Sequence, residues 1–231
     1  MNSIKIAAKK PKKKKEPEKP EEEITETEEM EQKEEAEKFL SSIMSMQDAG
    51  EAAPKLSKLI HLFGEIEEEK CADIACALRI LGDVSSRSED AEEDPVELVI
   101  STAGGAAADM FAVYDTMRLV RDKGCIIATT GIGKVMSAGV LLLAAGTKGK
   151  RRVGANCRIM LHGVASGHVG QINSLENELE EVRWTQEQYI KALATETDMT
   201  PKYIKKLIER GINVYLNAKE AVELGIADET F

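Results

Sequence analysis

The chain has only three histidines and four cysteines in 231 residues. It also lacks any uninterrupted apolar run near the ~18 residues that a membrane span needs. Scarce histidine leaves few candidates for a general base working near neutral pH. Cys71, Cys76, Cys125 and Cys157 show no paired metal-ligand spacing and lie in apolar segments, so buried free thiols in a reducing compartment are expected, with no metal and no other cofactor. The N-terminal lysine cluster is not followed by an apolar core, which predicts no signal peptide, no membrane partner and a cytoplasmic location. Positive charge is also in deficit: 31 Lys and Arg stand against 41 Asp and Glu, a formal net charge of −10. That balance argues against nucleic acid as a partner, since counterion release requires basic residues facing phosphate.

Two parts follow from composition. Residues 1–54 hold the basic run Lys9-Lys10-Pro11-Lys12-Lys13-Lys14-Lys15 and then a Glu-rich stretch through Glu37, with almost nothing apolar to bury. This predicts a charged extension, disordered or partly helical. The basic run reads either as an address or as a solvated charge block screened by its acidic neighbour. Residues 55–231 carry the periodic segments and are expected to form one α/β domain with a sizeable core.

Within that domain, Gly133-Lys134-Val135-Met136-Ser137-Ala138-Gly139 runs into the apolar Val140-Leu141-Leu142-Leu143-Ala144-Ala145-Gly146. Cys125–Thr130 reads as a buried strand and the segment after Ser137 as a buried helix, so one hydroxyl stands at a strand-to-helix turn. The free N–H groups of a helix start favour negative charge developing there. Tight packing of small residues is the alternative reading. A second glycine turn, Ala103-Gly104-Gly105, closes the strand Pro95–Thr102 and leads to a helix bearing Met110, Tyr114, Met117 and Leu119. Two such turns on neighbouring parallel strands can aim N–H donors into one cleft, as acyl transfer requires. His162 follows the strand-like Cys157–Leu161 and is the candidate base. His61, amid Leu59, Ile60, Leu62 and Phe63, reads as a packed strand residue, and His168 in Gly167-His168-Val169-Gly170 as an exposed one.

Helical spacing marks Glu67 to Leu81 (Cys71, Ile74, Leu78, Leu81), followed by a charged loop from Ser85 to Asp94. The longest helix is expected over Glu176 to Ala194, with Leu175, Leu179, Val182, Tyr189 and Leu193 in one stripe and Asn173 with Glu176 as a capping box. Thr200-Pro201 reads as an N-cap with proline in the first turn, and Asn217 with Glu220 as another capped start.

Gly64-Glu65-Ile66, Thr102-Ala103-Gly104-Gly105, Tyr114-Asp115-Thr116-Met117, Ser137-Ala138-Gly139, Leu142 to Arg151, Met160-Leu161-His162, Gly170-Gln171 and Ala218 to Gly225 occur together in one order. Over roughly Leu56 to Phe231 this set resembles the Clp protease proteolytic subunit, ClpP. The resemblance implies stacked ββα units of the ClpP/crotonase kind with a protruding handle helix. It makes Ser137 the nucleophile, His162 the general base, and the backbone N–H groups of Gly105 and Ala138 the oxyanion hole. Ala138 stands where the family usually has Met, and Thr102-Ala103 where it commonly has Ser-Pro. The third triad position falls on Asn213, where the family has aspartate; Asp198 and Glu209 are the alternatives in the chain. Asparagine can orient an imidazole but cannot balance its charge, and such a change in a serine protease costs about 10⁴ in kcat.

The resemblance further implies a polypeptide substrate bound by strand addition beside Gly105 and Val164 to Gly170, stacked heptameric rings forming a tetradecamer with an internal chamber, and an ATP-driven unfoldase as partner. Residues 1–54 show no segment like the family's axial hairpin. Three rival readings are a viral head-maturation protease of the same group, a crotonase-type acyl-CoA enzyme, and an inactive ring subunit paired with an active paralogue.

Overall fold

The computed structural model describes residues 58–85, 95–209 and 211–231. The expectations for residues 1–54, and for the charged loop from residue 86 to residue 94, lie outside the described residues.

Three parallel strands pair in chain order, with β1 (Leu59–Ile66) at the sheet edge, then β2 (Val96–Gly105) and β3 (Ile127–Met136). Parallel pairing demands crossover connections, which α1 (Glu68–Ser85) and α2 (Ala107–Arg121) supply. Ile60, Leu62, Leu98, Ile100 and Ile127 of the strands and Ile74, Leu78, Met110 and Met117 of the helices are buried in one core. The helix α3 (Ala138–Ala144) is buried at every residue, which suits a sequence that is apolar all round.

β3 then serves two neighbours. Thr129–Gly131 pair with β4 (Arg151–Val153), while Lys134–Met136 pair with β5 (Arg158–Leu161). This explains why the strand continues through Gly133–Met136, which reads as a turn in the sequence: the backbone groups of that stretch have a partner in β5. β6 (Val214–Leu216) adds antiparallel to β5, and β7 (Glu229–Thr230) parallel to β4. The mixed α/β architecture, a largely parallel sheet flanked by helices, is the one expected.

The remaining helices are α4 (Ile172–Glu196), α5 (Pro201–Ile208) and α6 (Ala218–Glu223). Two caps are as expected: Thr200 Oγ1 accepts the Tyr203 N–H at 3.2 Å ahead of Pro201, and Asn217 and Glu220 form a reciprocal capping box. α4 differs. It starts at Ile172 with Gln171 as an N-cap that makes no side-chain bond, so Asn173 is already inside the first turn and has lost the extended backbone a cap requires. Its stripe also divides. Tyr189 and Leu193 are buried, whereas no residue from Ile172 to Gln188 is, and Leu175 and Leu179 are exposed.

Two other expectations, for His61 and Cys76, are corrected. His61 is exposed on β1, edge-on to Phe63, because strand alternation turns Ile60 and Leu62 inward instead. Cys76 is exposed although Cys71, Cys125 and Cys157 are buried free thiols; lying two residues from both Ile74 and Leu78, it falls on the opposite face of α1. Residues 163–170 form no strand, having no neighbouring backbone ladder. No described helix is long and apolar enough to cross a membrane.

Candidate active site

Ser137 sits between the last residue of β3 and the first of α3, at φ 53° and ψ −123°. It is the one non-glycine residue with positive φ among the described residues. Such a conformation costs about 1–3 kcal/mol and persists only where its surroundings enforce it. Three contacts do so here. The Ser137 N–H donates to Met160 O at 2.8 Å, continuing the β3–β5 ladder by one residue, and Ser137 O accepts from Val140 N–H at 3.0 Å and from the Tyr189 hydroxyl at 3.1 Å.

The same ladder delivers the imidazole. β5 ends at Leu161, and His162 follows with Nε2 2.8 Å from Ser137 Oγ. Two residues from two adjacent parallel strands therefore meet because both strands end at the same level. A turn at the end of β2 completes the wall. Gly104 (φ 102°) leaves no room for a side chain, since a Cβ there would stand 2.6 Å from the Ser137 Cβ; at Gly105 it would stand 2.1 Å from Ile66 O. Only glycine permits this closeness and these angles. Thr102, fully buried, accepts the Gly104 N–H on Oγ1 at 3.0 Å and so holds the turn where the sequence has no proline.

A cavity of about 310 Å³ lies over these groups, lined by Gly105, Ala138, His162 and Val164 among others, with no Asp, Glu, Lys or Arg in its lining. The Ala138 N–H, at the first helical position, has no intrahelical acceptor. Tyr189 rises from α4 into the cavity wall; its complete burial pushes the phenol far above its ordinary value, so the hydroxyl is a proton donor at any working pH. From the sequence this tyrosine read only as a member of the apolar stripe. Its i−3 neighbour Gln186 accepts the Val164 N–H at 3.2 Å on the other side of the cavity.

Asn213 is positioned but not engaged. β5 and β6 pair as Ile159↔Leu216, Met160↔Tyr215 and Leu161↔Val214, and His162 and Asn213 are the residues next to that last pair, each outside its strand. Its side chain is exposed, and no hydrogen bond reaches His162 Nδ1 from the described residues. The alternatives are occupied elsewhere: the Asp198 carboxylate lies against Gly225 after α6, and Glu209 pairs with Lys205 at 3.5 Å. His168 is exposed and 3.0 Å from Ser174 Oγ. Among the described residues no three His, Cys, Asp or Glu side chains converge as a metal ion would require.

A serine hydroxyl, an imidazole within hydrogen-bond reach and the Ala138 N–H at a helix start, all bordering one cavity, are parts that acyl transfer through a covalent intermediate uses. A family model described as Clp protease matches residues 47–231. The chain is 32% identical over 174 residues to the ATP-dependent Clp protease proteolytic subunit 1 of Tropheryma whipplei (strain Twist), covering 74% of this chain and 79% of that protein. It is 31% identical over 175 residues to the ATP-dependent Clp protease proteolytic subunit 2 of Corynebacterium jeikeium (strain K411), covering 75% and 78%.

Proposed function

The chain belongs to the Clp protease family and is a ClpP-like serine peptidase; from that premise we propose that it is an endopeptidase in which Ser137 attacks the peptide carbonyl and His162 takes the serine proton. The observation that carries this reading is the 2.8 Å Ser137 Oγ to His162 Nε2 contact at a strained strand-to-helix turn. As the tetrahedral intermediate forms, its oxyanion accepts from the N–H groups of Gly105 and Ala138, each donor lowering the barrier by about 3 kcal/mol. His162 then returns its proton to the leaving amine, and water repeats the sequence on the acyl-enzyme.

The substrate is an extended polypeptide. It adds beside Gly105 on one side and Val164 to Gly170 on the other, so main-chain hydrogen bonds supply most of the affinity. The uncharged, small-residue wall of the cavity favours apolar side chains without a demanding shape, and specificity is therefore loose.

We extend the proposal to a chamber of two stacked heptameric rings. In support, the first two-thirds of α4 has no fully buried residue within its own chain while presenting Ile172, Leu175 and Leu179 to solvent. A long helix left half-packed in this way gains its stability from a partner. The matched relatives are named ATP-dependent, which supports an ATP-driven partner that feeds substrate to the rings.

A second reading, a weakly active or inactive ring subunit, is favoured by one observation: His162 Nδ1 has no partner among the described residues. Covalent labelling by a fluorophosphonate probe, read by intact mass on the wild type, Ser137→Ala and His162→Ala, separates the two. Labelling of the wild type that disappears in both variants supports the peptidase. An assembled oligomer that takes no label sinks it in favour of the subunit reading.

A further inference from the structure

The peptide unit joining Ser137 to Ala138 has two polar ends with different tasks. Its N–H is the oxyanion donor of the reading above, on which this inference rests. Its carbonyl oxygen is gripped from the opposite side by the Tyr189 hydroxyl at 3.1 Å and by the Val140 N–H at 3.0 Å. In a planar trans peptide the two ends point in opposite directions, so whatever fixes the oxygen also aims the N–H.

We propose that Tyr189 is a positioning residue for the oxyanion hole, holding the Ser137–Ala138 peptide plane so that the Ala138 N–H faces the substrate carbonyl. The strain at Ser137 makes such a hold necessary. At φ 53° and ψ −123° the peptide has a lower-energy orientation available by rotation, and rotating it would swing the N–H away. The hydroxyl also polarises the peptide it binds: a carbonyl that accepts a strong hydrogen bond leaves its N–H a better donor.

Tyr189 is equipped for this. Tyr189 is buried and belongs to the lining of the cavity beside Ser137. Ser137 O is the partner that the hydroxyl has among the described residues. One helical turn earlier, Gln186 Oε1 takes the Val164 N–H at 3.2 Å, so the base of α4 contacts both walls of the cavity and cannot shift relative to either alone. Neither residue touches the reacting atoms, and neither was recognisable from spacing.

The test is Tyr189→Phe, which keeps the ring and deletes the donor, with Tyr189→Leu as the packing control and the wild type alongside. Each protein is assayed for kcat and KM on a short fluorogenic peptide, for inhibition by a peptide aldehyde whose adduct carries the oxyanion, and for its melting temperature. Expected for Tyr189→Phe are a kcat about 10-fold lower, KM within twofold, aldehyde inhibition weakened by a similar factor and a melting temperature close to the wild type. Unchanged kcat and aldehyde affinity in Tyr189→Phe, beside an active wild type, overturn the proposal. A loss that instead falls on KM and melting temperature together, equally in Phe and Leu variants, assigns Tyr189 to packing and also overturns it. A wild type that turns over no peptide and forms no aldehyde adduct overturns the peptidase reading, and this inference with it.

Discussion

His162 and Asn213 each lie one residue beyond Leu161↔Val214, the last pair of the antiparallel β5–β6 ladder, and Asn213 makes no hydrogen bond to the imidazole. The end of the ladder keeps the two residues near one turn while the Asn213 side chain remains exposed. An aspartate at this place, drawn by the positive charge that His162 would acquire as the proposed general base, would gain an attraction that the neutral amide does not have. Replacing Asp by Asn in a serine protease triad costs about 10⁴ in kcat, so Asn213→Asp is expected to raise kcat on a fluorogenic peptide by more than about 10-fold with little change in KM. A variant no faster than the wild type would assign orientation of His162 to another group.

The second prediction concerns Thr102. Its hydroxyl accepts the Gly104 N–H, and the whole residue is out of contact with water. Valine has the same shape and no acceptor. Thr102→Val leaves a buried N–H unpaired, at a cost of about 1–3 kcal/mol, and frees the turn that carries the proposed Gly105 donor. Activity is expected to fall at least several-fold, with Thr102→Ser recovering most of it. Equal kcat in the Val and wild-type proteins would show that steric closeness to Ser137 alone holds the turn.

Where the sequence was legible, one residue type had one physical use. Gly104 and Gly105 were readable because no other residue tolerates their angles, and Thr200-Pro201 and Asn217 with Glu220 because caps are local. Ser137 was legible as a hydroxyl at a strand-to-helix turn and His162 as the residue after an apolar strand. What escaped were relations set by pairing between distant segments. The extension of β3 through Gly133–Met136 depends on β5, 24 residues further along at each paired position, and not on local propensity. Tyr189 has the periodicity of a core residue, and only packing of α4 under the turn turns its hydroxyl toward Ser137. The outward Leu175 and Leu179 share a stripe with buried Tyr189 and Leu193, and the apolar pattern alone does not distinguish a core from an intersubunit face.

A third prediction follows from Arg151, a nearly fully buried cation. It donates to the carbonyls of Glu196 at 2.7 Å and Gly225 at 2.9 Å, and through Nε to Asp228 Oδ2 at 2.9 Å. Burial by itself raises the Asp228 carboxyl, but the side-chain and backbone hydrogen bonds from Arg151 outweigh it and hold the group below its usual range. A carboxylate with a folded value below the unfolded value near 3.9 stabilises the fold above about pH 4, and that stability is lost as pH falls through the folded value. The melting temperature is therefore expected to drop below about pH 4. Asp228→Asn should lose about 3 kcal/mol at pH 7, because it strands a buried guanidinium, and should show a shallower decline in acid.

Thiol reactivity gives a fourth. The nucleophile is the thiolate, so both exposure and pKa select the reacting cysteine. Burial pushes Cys157 up to about 11 and also raises Cys71 and Cys125. Cys76 alone of the four is exposed. Brief iodoacetamide treatment of the native protein at pH 8 is expected to add one carboxamidomethyl group, on Cys76, with four after denaturation. Modification of Cys157 in the native state would show that β5, which begins at the next residue, opens on the labelling timescale.

The last prediction tests what covers α4. Leu179 is about half exposed, lies within the stretch from Ile172 to Gln188 that has no fully buried residue, and shares its outward face with Ile172 and Leu175. Inside a single chain, Leu179→Glu should be nearly neutral, as surface substitutions usually fall within about 0.5 kcal/mol. In the proposed double ring it places a carboxylate in an apolar contact repeated on both rings, where each unpaired charge is costly to desolvate. Light scattering after gel filtration is therefore expected to give half the wild-type mass for Leu179→Glu, with circular dichroism unchanged. Identical masses for the two proteins would show that this face meets solvent and that any rings pair through another surface.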